Sequence, residues 1–194
     1  GRFLVTTVPI SGRGRQMNVR FGLLGPLRAE VDAQDRVPSA PRQRALLAVL
    51  LLAGGDPLTA DQLLDRLWGE DAPSGGAKTV GFHVSKLRDA LEPDRPRGSE
   101  GSLVVTTPAG YVLAQGGVEF DVDVFERLVD EARECVGDAP DRAADLAREA
   151  LALWRGPALA DFRYDSFAQD EIRRLDELRM LALETRLESD LALG

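Results

Sequence analysis

The chain has 194 residues, 44% of them hydrophobic, and a formal net charge of -8, which is enough apolar material for one domain or two small ones. A single cysteine, Cys135, excludes an internal disulfide framework and fits a reducing, cytoplasmic setting; with only His83 beside it, an ordinary His/Cys zinc site is excluded as well. No apolar run reaches the roughly 20 residues that a membrane span needs, so no membrane partner is expected.

The charge is unevenly spread. Residues 1–16 carry three Arg and no acid, residues 17–115 carry 11 Lys/Arg against 12 Asp/Glu, and residues 116–194 carry 10 Arg against 20 acids. The last segment repels nucleic acid and the middle one does not, which points to two modules with different partners.

Residues 1–16 lack an initiating Met and read as a disordered leader or upstream extension, with Met17 as a natural start. "NVRFGLLGPLRAEVD" then alternates around a Gly-Pro turn and predicts strands over 19–24 and 27–31, with a weaker third near 36–37. "RQRALLAVLLLAGG" (42–55) is a helix so apolar that it must be buried, ended by Gly54-Gly55. In "LTADQLLDRLWG" (58–69), Thr59 and Gln62 have the spacing of a capping box. Residues 70–77 form a loop, 78–91 a third helix, and 92–102 a polar connector. "LVVTT" and "YVLA" flank Pro108-Ala109-Gly110 as a β-hairpin. After Gly116-Gly117 the pattern is helical only, with helices near 122–137, 140–155 and 166–193.

The third helix carries the functional argument. At about 100° per residue, Val80, Val84, Leu87 and Leu91 share one buried stripe. Lys78, Phe82, Ser85, Lys86 and Asp89 fall on the opposite side, with Thr79, Gly81 and Arg88 on the shoulders. An exposed phenylalanine beside lysines suits a DNA major groove, where an apolar ring meets a thymine methyl and Lys reaches guanine. Three helices followed by a hairpin is the order of a winged helix-turn-helix, with the third helix in the groove and the hairpin beside the backbone. The bland alternative stays open at this point: a solvated basic face, Phe82 packed under the connector, and His83 as a satisfied boundary residue.

"TVGFHVSKLRDALEP" (79–93) followed by "TPAGY" (107–111) resembles the effector domain of OmpR/PhoB-type response regulators. With "FGLLGPL", "RQRALLA", "LWGEDAP", "FERLVDEAR" and "ALALWRGPAL", the chain is similar to the Streptomyces antibiotic regulatory protein (SARP) family over about residues 19–193. The resemblance implies an α+β fold: an N-terminal β-sheet, three helices and a hairpin wing over 17–115. An all-α, tetratricopeptide-like bacterial transcriptional activation domain would follow over 118–194. It implies an activator that binds direct repeats in double-stranded DNA as a head-to-tail homodimer. Such an activator recruits RNA polymerase, sigma factor included, and commonly switches on clusters for antibiotics and other secondary metabolites.

By position, Lys78, Thr79, His83 and Arg88 match residues that hold phosphates, and Gly81, Phe82, Ser85 and Lys86 match residues that face bases. In the wing, Thr106 and Thr107 can bond phosphates, but "TTPAGY" has no basic residue, and Tyr111 reads as core. Glu70, Asp71, Ala72 and Pro73 match the loop that approaches RNA polymerase; otherwise they form a plain connector over Trp68. The family's activation domain continues with further helical hairpins, so the helices ending at "DLALG" are expected to expose apolar surface. No cofactor is expected. One His, no phosphate-binding Gly loop of Walker or Rossmann type and no nucleophile elbow argue against an enzyme. The rival from another class is a protein-interaction module that keeps the winged shape without touching DNA.

Overall fold

The computed structural model describes residues 17–96 and 101–193; the expected leader (1–16) and part of the 92–102 connector lie outside the described residues. The chain forms two compact units. The first holds residues 17–20 and Arg28–Val118, and the second holds Phe21–Leu27 and the chain from Glu119 onward. The boundary expected from the glycine pair, 17–115 against 118–194, leaves out this exchange of Phe21–Leu27.

The strands at the start are β1 (Val19–Gly22), β2 (Arg28–Val31) and β3 (Gln34–Asp35), the last two residues earlier than the sequence pattern places it. A further strand, β6 (Val118–Phe120), completes a sheet in the order β3-β2-β1-β6. The purely helical pattern expected after Gly117 therefore begins one strand too early. A three-residue strand whose neighbour lies about a hundred residues away leaves almost no local signal.

In the first unit, α1 (Pro41–Leu52) starts on a proline at its first turn, where the missing N–H costs nothing. Every residue from 45 to 51 is buried, so the helix is the centre of the core and not a surface stripe. Gly54 and Gly55, at φ +60° and +94°, end it in a conformation that other residues avoid. α2 (Ala60–Trp68) opens with the expected capping box: Gln62 N donates to Thr59 Oγ1 at 3.2 Å, and Thr59 N donates to Gln62 Oε1 at 2.9 Å. A short 3-10 turn, Gly69–Asp71, follows, and α3 (Gly76–Leu91) begins two residues before its expected start. The buried side of α3 is Val80, Val84, Leu87 and Leu91, the stripe read from the sequence.

The hairpin joins β4 (Val104–Thr107) to β5 (Gly110–Leu113), with Thr107 opposite Gly110. It is tied to the entry of α2 by a two-way bridge: Leu58 N donates to Tyr111 O and Tyr111 N to Leu58 O, each at 2.8 Å. Gly110 sits at φ +138°, and a Cβ there would lie 2.5 Å from the carbonyl carbon of Leu58 and closer still to its oxygen. Only glycine fits that approach.

The second unit is built from α4 (Asp121–Cys135), α5 (Pro140–Ala152) and the 25-residue α6 (Gln169–Leu193). α5 buries only alanines, Ala143, Ala144, Ala147 and Ala150, so neighbouring helices pack close to its backbone. Thr185 and Ser189, buried on α6, satisfy their hydroxyls on the carbonyls one turn back, Leu181 O at 2.9 Å and Thr185 O at 2.8 Å. Arg174 bridges α6 to α4 through Glu126, with Glu171 as its second partner. Met180, Leu187 and Leu191 are exposed along α6.

Phe21–Leu27 is strapped into this unit by its backbone. Asp121 accepts from Leu23 N at 2.8 Å and Leu24 N at 3.2 Å, and Asp161 accepts from Leu27 N at 2.7 Å. Arg155 N donates to Leu24 O, Arg155 Nη1 to Pro26 O, and Leu159 N to Leu23 O. β1 therefore stops at Gly22, short of the expected 24, because the next backbone groups are taken from elsewhere in the chain. Burial pushes the Asp121 carboxyl pKa up, against the pull of Leu23 N–H, Arg155 and Leu24 N–H.

Candidate nucleic-acid interface

α3 presents its outer face much as its periodicity requires. Phe82 is 57% exposed, and the Lys86 side chain, 54% exposed, stands over it at 5.9 Å from Nζ to the ring centroid. Ser85 is exposed beside them, and Gly81 is half-buried. A Cβ on Gly81 would meet only Tyr111 Oη, at 3.9 Å, so the glycine keeps the face low without being sterically required. Lys86 also lies 3.9 Å from Asp89, a loose exposed pair that releases its charge at little cost.

The start of α3 has no acid in its first turn and no side chain capping it. Gly76 N and Lys78 N donate to Pro73 O and Gly75 O at 3.0 Å each, so what the helix start offers an anion is its positive dipole end with no acid against it. Lys78 is exposed and Thr79 half-buried at that end.

The other four phosphate candidates have hydrogen-bond partners within the protein. His83 Nδ1 lies 3.0 Å from Gln43 Nε2, and its ring packs at 5.5 Å from Trp68. An amide N–H donating to Nδ1 leaves the ring proton on Nε2. Burial, and next the positive charge of Arg42, push the His83 pKa below its ordinary value of 6.5, so the ring is neutral at physiological pH. Arg88 donates from Nε to Val104 O at 2.7 Å and from Nη2 to Thr106 Oγ1 at 2.8 Å, joining α3 to the hairpin. Thr107 Oγ1 donates to Gly110 O and accepts from Ala109 N, closing the turn. The structure thus brings Phe82, Ser85 and Lys86 together with the helix start, and gives Arg88, Thr106 and Thr107 internal partners.

Glu70, Asp71 and Ala72 are exposed on and just after the 3-10 turn, with Pro73 half-buried behind them. Trp68, immediately before the turn, packs under the Arg42 guanidinium at 5.0 Å, and Arg42 also donates to Leu67 O. Two supporting residues have no signal in local spacing. Gln43 meets His83 across 40 positions, and Glu92 accepts from Ser102 N and Leu103 N, anchoring the start of the hairpin. Among the described residues no cluster of three or more His, Cys, Asp or Glu is placed to hold a metal.

A third helix with an exposed aromatic and basic face, a hairpin beside it and a helical domain further along the chain is the order of a two-module transcriptional regulator, and the family models match both modules. The model described as "Transcriptional regulatory protein, C terminal" matches residues 34–113, and the "Bacterial transcriptional activator domain" matches residues 120–194. Regulatory protein AfsR of Streptomyces coelicolor is 39% identical over 179 residues, which is 91% of this chain and 17% of that protein. Regulatory protein DnrI of Streptomyces peucetius is 32% identical over 180 residues, 91% of this chain and 66% of that protein. The solved structure of Mycobacterium tuberculosis EmbR in complex with a low-affinity phosphopeptide superposes with a TM-score of 0.80 at 30% identity, over 92% of this chain and 47% of that one. The chain belongs to the Streptomyces antibiotic regulatory protein family. It spans less than two thirds of the length of these relatives. AfsR and DnrI are named as regulatory proteins and EmbR as a transcriptional regulatory protein. No helix among the described residues is long and apolar enough to cross a membrane.

Proposed function

We propose that the chain is a sequence-specific, DNA-binding transcriptional activator that places α3 in the major groove. The observation that carries this reading is the exposed Phe82–Lys86 pair on the face of α3 opposite its buried stripe. In a groove, the ring covers a thymine methyl and the ammonium reaches guanine O6 or N7. Lys78, Thr79 and the positive end of the helix dipole take a phosphate. His83, Arg88, Thr106 and Thr107 contribute chiefly by holding this surface in place, with contact to the backbone as a secondary role.

The family resemblance supports the rest of the proposal. Two copies bind direct repeats head to tail, the exposed acidic turn at Glu70 and Asp71 meets a basic surface of RNA polymerase or its sigma factor, and the regulated genes serve secondary metabolism. The site of action is the cytoplasm. Selection from a random duplex library, followed by titration at two salt concentrations, tests the reading. Enrichment of a direct repeat with a steep salt slope supports it. Failure to enrich, with weak binding at both salts, favours the protein-interaction module, for which the near-neutral charge of residues 17–115 is the supporting observation.

A further inference from the structure

We infer that Gln43, His83 and Trp68 form a buttress that fixes the Phe82 ring on the groove-facing surface, making them positioning residues for sequence selection. The inference rests on the DNA-binding reading above and extends it to residues that touch no base. A phenyl ring on an exposed helix face gains little from its own surroundings and loses rotamer freedom when it docks, so a ring held in advance selects better than a free one.

The restraint on Phe82 is visible. Its ring meets His83 edge to face, with centroids 5.4 Å apart and planes at 77°, and Lys86 flanks it. His83 is a firm neighbour only because it is itself held twice, by Gln43 at 3.0 Å and by the tilted Trp68 ring at 5.5 Å. Trp68 is held in turn by Arg42. The chain of contacts therefore runs from the central helix α1, through α2, to the outer face of α3.

Gln43 is the informative member. It is 8% exposed at the start of a helix whose following core positions are all aliphatic. A buried amide is costly unless bonded, and leucine or methionine would pack there without that cost. The amide meets His83, and such a bond orients a ring in a way that an apolar side chain cannot.

The test uses the whole chain and two readouts. The first is the side-chain order of Phe82 in the DNA-free protein, by NMR of labelled phenylalanine. The second is the preference for the selected duplex over duplexes carrying one changed base pair. The variants are Gln43→Met, which keeps the bulk and removes the donor; Gln43→Glu, whose carboxylate can accept from His83; His83→Leu, which removes the link from the other side; and Phe82→Ala as reference. Gln43→Met and His83→Leu should loosen the Phe82 ring and lower the preference at one position by on the order of tenfold. Binding to random duplex, and its salt slope, should stay at the wild-type level. Gln43→Glu should restore both readouts.

An unchanged Phe82 ring in both Gln43→Met and His83→Leu overturns the inference, whatever happens on DNA. So does a loosened ring with unchanged preference while Phe82→Ala loses it. A uniform loss on all duplexes reduces these residues to a structural role and also overturns it. If Phe82→Ala itself leaves preference unchanged, base reading by Phe82 fails, and the buttress falls with it as a selection device.

Discussion

Replacing Gly110 by alanine tests how the wing is held. At φ +138° any side chain is strained, and a conformation of this kind costs about 1–3 kcal/mol for a residue with a Cβ. The new Cβ would also lie 2.5 Å from Leu58 C and 2.8 Å from Thr59 N, backbone atoms fixed by the capping box and by the bridge to Tyr111. Relief requires opening that bridge, whose two hydrogen bonds contribute roughly 0.5–1.5 kcal/mol each. The expected loss is thus about 2–6 kcal/mol, a large share of the roughly 5–15 kcal/mol that holds a domain together. Gly54→Ala is the control: φ is +60°, but nothing lies within 4 Å of its Cβ, so only the left-handed backbone cost, about 1–2 kcal/mol, remains. Urea titration followed through Trp68 in a Trp154→Phe background reads the first unit alone. With a slope of about 1–3 kcal/mol per molar, Gly110→Ala should lower the midpoint by about 1 M or more, and Gly54→Ala by less. Equal midpoints for the two variants would refute the close approach to Leu58.

Lys86→Ala should reduce preference for the selected duplex by about 1–3 kcal/mol, measured as a ratio of Kd values, whereas Thr79→Ala should weaken binding to all duplexes alike. Asp121→Ala leaves Leu23 N–H and Leu24 N–H, both on fully buried residues, without their acceptor, and should cost about 2–5 kcal/mol in urea titration followed through Trp154. A midpoint at the wild-type value would mean that Phe21–Leu27 is not held by this carboxylate. The His83 pKa is lowered on folding, so the unfolded chain binds its proton first. Stability of the first unit should therefore be at its full value above 6.5 and fall as pH drops through the window between 6.5 and the folded value. His83→Gln should remove that part of the slope; an unchanged slope would show that the folded protein does not disfavour the charged ring.

The parts of this molecule that were legible in its sequence are those decided within a few residues. The Thr59–Gln62 capping box, the glycine exit of α1, and the stripe of α3 are all local. Each is fixed by helix geometry, and each is found in place. Exposure of Phe82 follows from the same periodicity, because the ring is half a turn from Val80 and Val84.

What the sequence hides is non-local. "FGLLGPL" has the pattern of strand, turn and strand, yet its backbone groups are bonded to Asp121, Arg155, Leu159 and Asp161, all of them far along the chain in the second unit. Arg88 has the position of a phosphate ligand but finds Thr106 and Val104 first. Nothing in the local sequence marks Gln43, and only the fold brings His83 to it. Position in a family motif locates a surface; packing decides which of its side chains are left to meet a partner.

The measurement that bears most directly on the central claim is selection of binding sites from random duplex by the whole chain, followed by titration of the winner at two salt concentrations. The account predicts an enriched direct repeat spaced near one helical turn, and log Kd rising with log salt in proportion to the phosphates engaged. No enrichment, with weak and nearly salt-independent binding, would contradict it and leave the exposed face of α3 as a surface for protein partners.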